Sequence, residues 1–246
     1  MNAGWKVLGA FALTALLSWA PPASAQDQAA KAAPPAPATV VNPKIPRLSD
    51  IAGMQDPKFI QGLRKGGYVI FFRHAATNWA QRDQSYADFE NRDSQRNLSE
   101  AGKADAAAIG KAFHELGIGV DSVLASPMWR CRDTAQLAFG RYEKRIELFG
   151  KVPEGPEGPK VMAENRAKYR AERVHMLSTA PTRGMNRVLV GQQDPMIPII
   201  PGLHRDELRE GDALVVQPLG KGGFRIVAQV TPADWTRLAA AFPAGK

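Results

Sequence analysis

Apolar positions along the chain fall into two rhythms. Short unbroken runs at residues 68–72, 122–125 and 187–191 are rich in β-branched and aromatic side chains and bounded by glycine or polar residues, the pattern of strands buried on both faces. Between them, apolar residues return every three or four positions. Ala106, Ile109, Phe113 and Leu116 share one stripe of a helix that Ser99 caps, Glu100 joins in its first turn and Gly117 ends. A short helix is expected over 56–65. Another, with Ser126 as cap and Pro127 in the first helical position, should follow the strand at 122–125. A strand over 145–149 should lead into a Pro/Gly segment without regular structure at 153–159. A helix over 162–177 follows, with Ala163, Ala167, Val174 and Leu177 facing inward. Strands at 213–217 and 224–230 surround a glycine-rich turn, and Thr231 caps a last helix. Strands alternating with helices predict an α/β fold, a three-layer α/β/α sandwich with a mainly parallel central sheet.

The amino-terminal part stands outside that pattern. Lys6 precedes a mostly apolar stretch, residues 7–20, too short to span a bilayer, and the small residues Ala23 and Ala25 fit a secretory cleavage site before Gln26. The stretch holds no cysteine for lipid attachment. Residues 26–47 are dominated by alanine and proline, which bury little area and remove backbone donors, so they read as a flexible or extended tether. The expected organisation is a signal peptide at 1–25, a linker at 26–47 and one domain at 48–246. The mature protein is expected to be secreted or periplasmic, with no stable membrane span.

Composition and charge refine this picture in three places. The formal charge of +8, or +7 without Lys6, is concentrated between Lys160 and Arg187, where Arg166, Lys168, Arg170, Arg173 and Arg183 face only Glu164 and Glu172. Such a helix attracts anions, but aromatic residues are not interleaved for base stacking, so a solvated helix face is the simpler reading and no nucleic-acid partner is expected. Cys131 is the only cysteine, which excludes an internal disulfide, and its neighbours Met128, Ala135 and Ala138 suit a small buried residue. His74, His114, His175 and His204 show no metal-ligand spacing, so neither metal nor another cofactor is expected.

Chemistry gathers at strand ends. The run 68–72 stops abruptly in Arg73-His74, where open α/β sheets bind ligands. The strand at 122–125 ends in Ser126, with Arg130 in the first turns of the following helix, beside unpaired backbone N–H groups and the positive dipole end. The strand at 187–191 ends in Gln192-Gln193-Asp194. After His74 comes a long polar loop, residues 75–97, of the length that binding loops and lids have.

In this order the segments resemble the histidine phosphatase superfamily, which includes the cofactor-dependent phosphoglycerate mutases and the phosphohistidine phosphatases. Arg73-His74-Ala75-Ala76-Thr77 resembles its Arg-His-Gly/Ala signature, Asn97-Leu98-Ser99-Glu100-Ala101-Gly102 its helix start, and Ser126-Pro127-Met128-Trp129-Arg130 its second arginine segment. The resemblance runs over most of the folded part and looks closer to exported bacterial members than to the mutases. It implies a phosphoglycerate mutase-like sandwich and a phosphomonoester hydrolase in which His74 attacks phosphorus to form a phosphohistidine. Arg73, Thr77, Arg130 and Gln192 would bind the phosphate of a small phosphorylated substrate, without metal. The sequence departs from the family at Gln192, where a second histidine is usual. Charge-assisted hydrogen bonds contribute about 1.5–3 kcal/mol against about 0.5–1.5 for neutral ones, so turnover is expected to be reduced, or lost in a protein that only binds a phosphorylated ligand. Glu154, Glu157 and Asp194 are the candidate general acids, and His204 a remote substitute for the missing imidazole.

Overall fold

In the computed structural model, which describes residues 44–48, 57–150 and 158–245, the apolar runs become the inner strands of one six-stranded sheet. Its strands are β1 (Val69–Arg73), β2 (Val120–Ala125), β3 (Glu143–Lys144), β4 (Asn186–Gly191), β5 (Ala213–Pro218) and β6 (Phe224–Val230). They lie in the order β3-β2-β4-β1-β5-β6. The first four of that order are mutually parallel, while β5 runs antiparallel to β1 and β6 antiparallel to β5. The sheet is therefore mixed, and its parallel block carries the strand ends at issue here.

Alternation along the strands fills both faces. Ile70, Phe72, Val123, Val188, Val190 and Val215 join one core with α1 (Pro57–Lys65), α2 (Glu100–Leu116), α3 (Trp129–Phe139) and α5 (Pro232–Ala241). Val69, Phe71, Leu124, Leu189, Leu214 and Val216 join the other, with the end of α4 (Gly158–Ser178) and the turns around Met196, Ile200 and Leu208. The expected three layers result. The first core is pinned by rings: Phe72 lies 6.1 Å from Phe113 and 6.2 Å from Trp235, whose indole is fully buried.

The helix ends follow the sequence signals. Ser99 accepts a hydrogen bond from the Gly102 amide and Gly117 closes α2 in the left-handed conformation (φ 66°). Thr231 and Asp234 form a reciprocal capping box on α5. Cys131 is buried, and His114 and His175 are exposed.

Four local expectations are corrected. Ser126 and Pro127 do not open α3, because the Ser126 amide donates to the Val190 carbonyl (2.9 Å) and prolongs the sheet; Met128 takes the cap position without a side-chain bond. The strand expected at 145–149 does not form, and the two-residue β3, Glu143–Lys144, ends before it. Beyond β3 a 3-10 turn, Ile146–Leu148, drops Leu148 and Phe149 into the cores. In α4, Leu177 is buried and Val174 packs against the core as expected, but Ala163 and Ala167 are exposed, and Met176 joins Leu177 in holding the helix with far more area than alanine offers. Folded structure also starts earlier than 48: Ile45 is buried and the Gln229 amide donates to the Pro46 carbonyl at 2.8 Å. The signal peptide at 1–25 and the rest of the linker lie outside the described residues, as do residues 151–157 with Glu154 and Glu157. Among the described residues no helix is long and apolar enough to cross a membrane.

Helices α2 and α3 approach through Gly110, where an added Cβ would lie 2.1 Å from the Ala138 carbonyl oxygen. Alanine is a better helix former than glycine by about 1 kcal/mol, but a backbone-to-backbone overlap cannot be relieved by a rotamer change. Gly110→Ala is therefore expected to destabilise by about 1–3 kcal/mol, read as a lower urea midpoint at unchanged slope.

Candidate active site

Register brings the strand ends level. Arg73 pairs with Gly191 and Ala125 with Val190, so the next residues, His74, Gln192 and Ser126, leave the sheet at one edge. The His74 amide donates to the Gly191 carbonyl (3.1 Å) and the Gly211 amide to the His74 carbonyl (2.8 Å), which fixes the backbone of the histidine from both sides. Thr134 of α3 accepts from the Ala75 amide (3.0 Å) while donating to the Arg130 carbonyl (2.7 Å), tying the loop after β1 to the helix that carries Arg130. On the other side, α2 is clamped to Ala76 through the Ser99 amide (3.0 Å).

These ends open on a cavity of about 220 Å³ whose lining includes Arg73, His74, Arg96, Arg130 and Gln192. His74 is buried at its wall. Burial, reinforced by the guanidiniums of Arg130, Arg73 and Arg96, holds its imidazole well below the usual histidine range, although the bond to the Ala75 carbonyl pulls the other way. The ring is therefore neutral at pH 7. Its Nδ1 lies 3.0 Å from that carbonyl, which can only accept, so the proton sits on Nδ1 and Nε2 keeps its lone pair.

The cations are engaged but not saturated. Arg130, 2 % exposed, donates from Nη1 to Asp83 Oδ1 at 2.8 Å, while its Nε has no partner. Arg96 reaches Glu210 at 3.5 Å and lies 3.8 Å over the ring of Trp79, and its buried Nε is likewise unpaired. Arg73 donates to the Leu208 carbonyl (2.7 Å) and Gln193 Oε1 (3.2 Å) and lies 3.7 Å from Glu210. Buried N–H groups of permanent cations without acceptors are costly unless an anion arrives.

The structure brings Arg73, His74, Arg130, Gln192 and Asp194 to this cavity and leaves out Thr77. The Thr77 hydroxyl donates to Glu210 at 2.9 Å, so it holds the carboxylate that holds Arg73 and Arg96. Gln192 donates from Nε2 to Cys131 Sγ (3.5 Å), and its Oε1 has no partner. Asp194 lies 3.7 Å from Arg205, also at the cavity. His204 is exposed and meets the site only through its carbonyl, which accepts from Gln193 (2.8 Å). Glu154 and Glu157 are outside the described residues. Sequence reasoning missed Arg96, Asp83, Glu210, Trp79 and Arg205. The first, second and fourth sit in the polar loop expected to bind, but nothing in its composition singled them out. Among the described residues no group of three or more His, Cys, Asp or Glu is placed to hold a metal.

Comparison with known proteins gives one family match and several partial similarities. Residues 69–181 match the family model of the histidine phosphatase superfamily (branch 1), which supports a place in that superfamily; Gln192 lies beyond the matched stretch. Among curated proteins, the mitochondrial serine/threonine-protein phosphatase Pgam5 of Drosophila grimshawi is 32% identical over 80 residues, 32% of this chain and 25% of that protein. Its Drosophila mojavensis counterpart is 32% identical over 76 residues, covering 31% of this chain and 23% of its own. The aligned part thus spans about a quarter of the length of these relatives. Among solved structures, the protein histidine phosphatase SixA complexed with tungstate is similar at 16% identity, covering 68% of this chain and 98% of its own, with a TM-score of 0.43. A phosphoserine phosphatase from Entamoeba histolytica in complex with phosphoserine is similar at 12% identity, covering 68% and 98%, with a TM-score of 0.45.

The depressed basicity of His74 has a signed consequence for stability. Below the usual pKa of about 6.5 the unfolded chain takes up a proton that the folded chain refuses. Folding stability should therefore fall as pH drops below that value, with no contribution from His74 above it. His74→Gln removes this slope. Urea midpoints at pH 7.5 and 5.5 check it: the wild type should lose more on acidification than the variant, and equal losses would show an ordinary, solvated imidazole.

Proposed function

We propose that the protein is a metal-independent phosphomonoester hydrolase working through a phosphohistidine on His74. The observation that carries this reading is a neutral buried imidazole, lone pair on Nε2, lining the same cavity as the buried guanidinium of Arg130 and the half-buried one of Arg96, each of which has a buried Nε without a partner. Phosphoryl transfer asks mainly for positioning and for positive charge around the equatorial oxygens. Arg130 and Arg96 supply such donors, and Arg73 adds a third cation at the mouth of β1. Because Asp83 and Glu210 already neutralise much of this charge, a phosphate dianion would find donors that are oriented in advance.

In the first step Nε2 forms a bond to phosphorus as the bond to the leaving oxygen breaks, and that oxygen takes a proton from a carboxylic acid. Among the described residues Asp194 is the expected acid that lines the cavity, so we assign it that role. Water then attacks phosphorus, giving a proton to the carboxylate left on Asp194 while the Nε2–P bond breaks, which releases phosphate and returns the neutral imidazole. The tautomer held by the Ala75 carbonyl keeps the Nε2 lone pair free to attack, and the same contact steadies the ring while Nε2 carries the phosphoryl group.

Gln192 lines the same cavity as His74, and on the family resemblance it stands in for a second histidine. Its amide can be turned over with the same heavy-atom positions. The Cys131 thiol, whose pKa burial pushes up to about 12, then donates to Oε1, and Nε2 takes the place of the unpaired oxygen as a neutral donor for phosphate. One charge is still missing compared with an imidazolium. The phosphatase names of the curated relatives add support for the reaction class, and the leader pattern at 1–25 for a secreted or periplasmic setting.

Purified protein should hydrolyse an aryl phosphate in the presence of chelator, with inhibition by vanadate, and His74→Ala should remove the activity. A wild-type rate no higher than that of His74→Ala would leave a protein that binds a phosphorylated ligand without turning it over. Gln192→His should raise turnover by about tenfold to a hundredfold, the kinetic equivalent of exchanging a neutral for a charged hydrogen bond. An unchanged kcat would place the limiting step at the acid.

A further inference from the structure

Most of the basic run is the solvated helix face that composition suggests, with Arg166, Lys168 and Arg170 exposed, but Arg173 is buried and part of the run lines a groove. Arg166, Tyr169, Arg170 and Arg173 fall at i, i+3, i+4 and i+7 and form a single stripe of α4. That stripe lines a groove of about 330 Å³, with Phe149 on its wall and Asp194, which also lines the His74 cavity, at the junction. Such a volume lies at the lower end of small-molecule sites.

Asp194 is the one acid among the described residues that line the groove, and no ion pair joins it to the three arginines there. Arg173 is 7 % exposed, yet its hydrogen bond goes from Nη1 to the backbone carbonyl of Glu147 (2.7 Å), and its buried Nε has no partner. The carboxylate of Glu147 is taken by Arg145 at 3.2 Å. Arg170 donates to the Pro198 carbonyl at 3.3 Å. Among the described residues none of Arg166, Arg170 and Arg173 forms an ion pair. A guanidinium that is desolvated, close to a second one and short of an acceptor is destabilised until an anion enters. Burial and the neighbouring Arg170 accordingly hold the Arg173 pKa below its usual value.

We propose that this groove is a second anion-binding subsite, so that the preferred substrates carry, besides the phosphoryl group presented to His74, a second phosphate or carboxylate that Arg166, Arg170 and Arg173 hold. The proposal rests on the reading of the His74 cavity as the phosphate site. The shared Asp194 makes the two spaces neighbours, so a single small molecule bridges them. Tyr169 and Phe149 offer apolar contact to the carbon skeleton between its anionic ends.

Titration calorimetry of the full chain with a series of linear alkanediol bisphosphates and the matching monophosphates tests this without requiring turnover. The best bisphosphate should bind about tenfold or more tightly than its monophosphate, with one molecule per chain. The advantage should vanish in the Arg166→Ala/Arg170→Ala double variant, whose exposed side chains leave the fold intact, while monophosphate affinity stays unchanged. Equal affinities in the wild type, an advantage that survives the double variant, or two molecules bound independently would each overturn the proposal. If aryl phosphate is not hydrolysed but the bisphosphate advantage is present and lost in the variant, the hydrolase reading fails and the subsite stands.

Discussion

The structure depends on the level ending of three adjacent parallel strands. β1, β4 and β2 stop in register, so the residues that follow leave the sheet side by side, and the amide-to-carbonyl bond from His74 to Gly191 locks the alignment where the sheet gives way to loops. A slip of one residue would turn Phe71 and Phe72 to the opposite cores and swing the imidazole away from the arginines. Because both faces of β1 are buried, such a slip would expose or overpack large side chains on two sides at once. The packing of the interior thus protects the geometry of the site, which it meets directly at Cys131 beneath Gln192.

Around the imidazole, charge is arranged in nested pairs. Asp83 holds Arg130, Glu210 holds Arg73 and Arg96, and Thr77 holds Glu210. Ion pairs in partly buried positions draw their effect from geometry and from the hydrogen bonds around them, and here each acid is bonded to backbone amides as well. Asp83 accepts from the Arg96 amide (3.0 Å) and Glu210 from the Thr77 amide (2.9 Å). Burial pushes Asp83 up, but Arg130 and these hydrogen bonds outweigh it and keep it ionised. The acids therefore act as fixed anchors that aim the guanidiniums. The loop bearing Asp83 is anchored in turn by rings, with Tyr86 and Phe89 edge-on to Phe149 and Trp129 held between Arg92 and Arg132.

Much of this was legible in the sequence wherever one local signal outweighed its competitors. The unbroken run 68–72, the Ser99 and Thr231 caps and the Arg73-His74 strand end were all read correctly, because burial on both faces and capping leave few alternatives. Reading failed where tertiary contacts decide between acceptable local states. Ser126 is a good cap by propensity, yet its amide is worth more to the sheet ladder. Ala163 and Ala167 look inward by spacing but bury too little area to set the face of α4. Thr77 follows the histidine at phosphate-binding distance in sequence, and only the position of Glu210, remote along the chain, diverts its hydroxyl. Arg96 and Asp83 were hidden for the opposite reason: a loop rich in charges gives no periodicity from which to pick two.

The margins of the sheet carry a consequence for behaviour at high concentration. One border strand, Glu143–Lys144, is only two residues long and wholly charged, and the other is overlaid at Gln229 by the segment arriving through Pro46 and Arg47. Neighbouring copies of the chain accordingly meet a shortened template for intermolecular ladders. Resistance to fibril-like association is thus built in by how the borders are finished, and trimming the chain back beyond residue 47 would strip that protection from one of them.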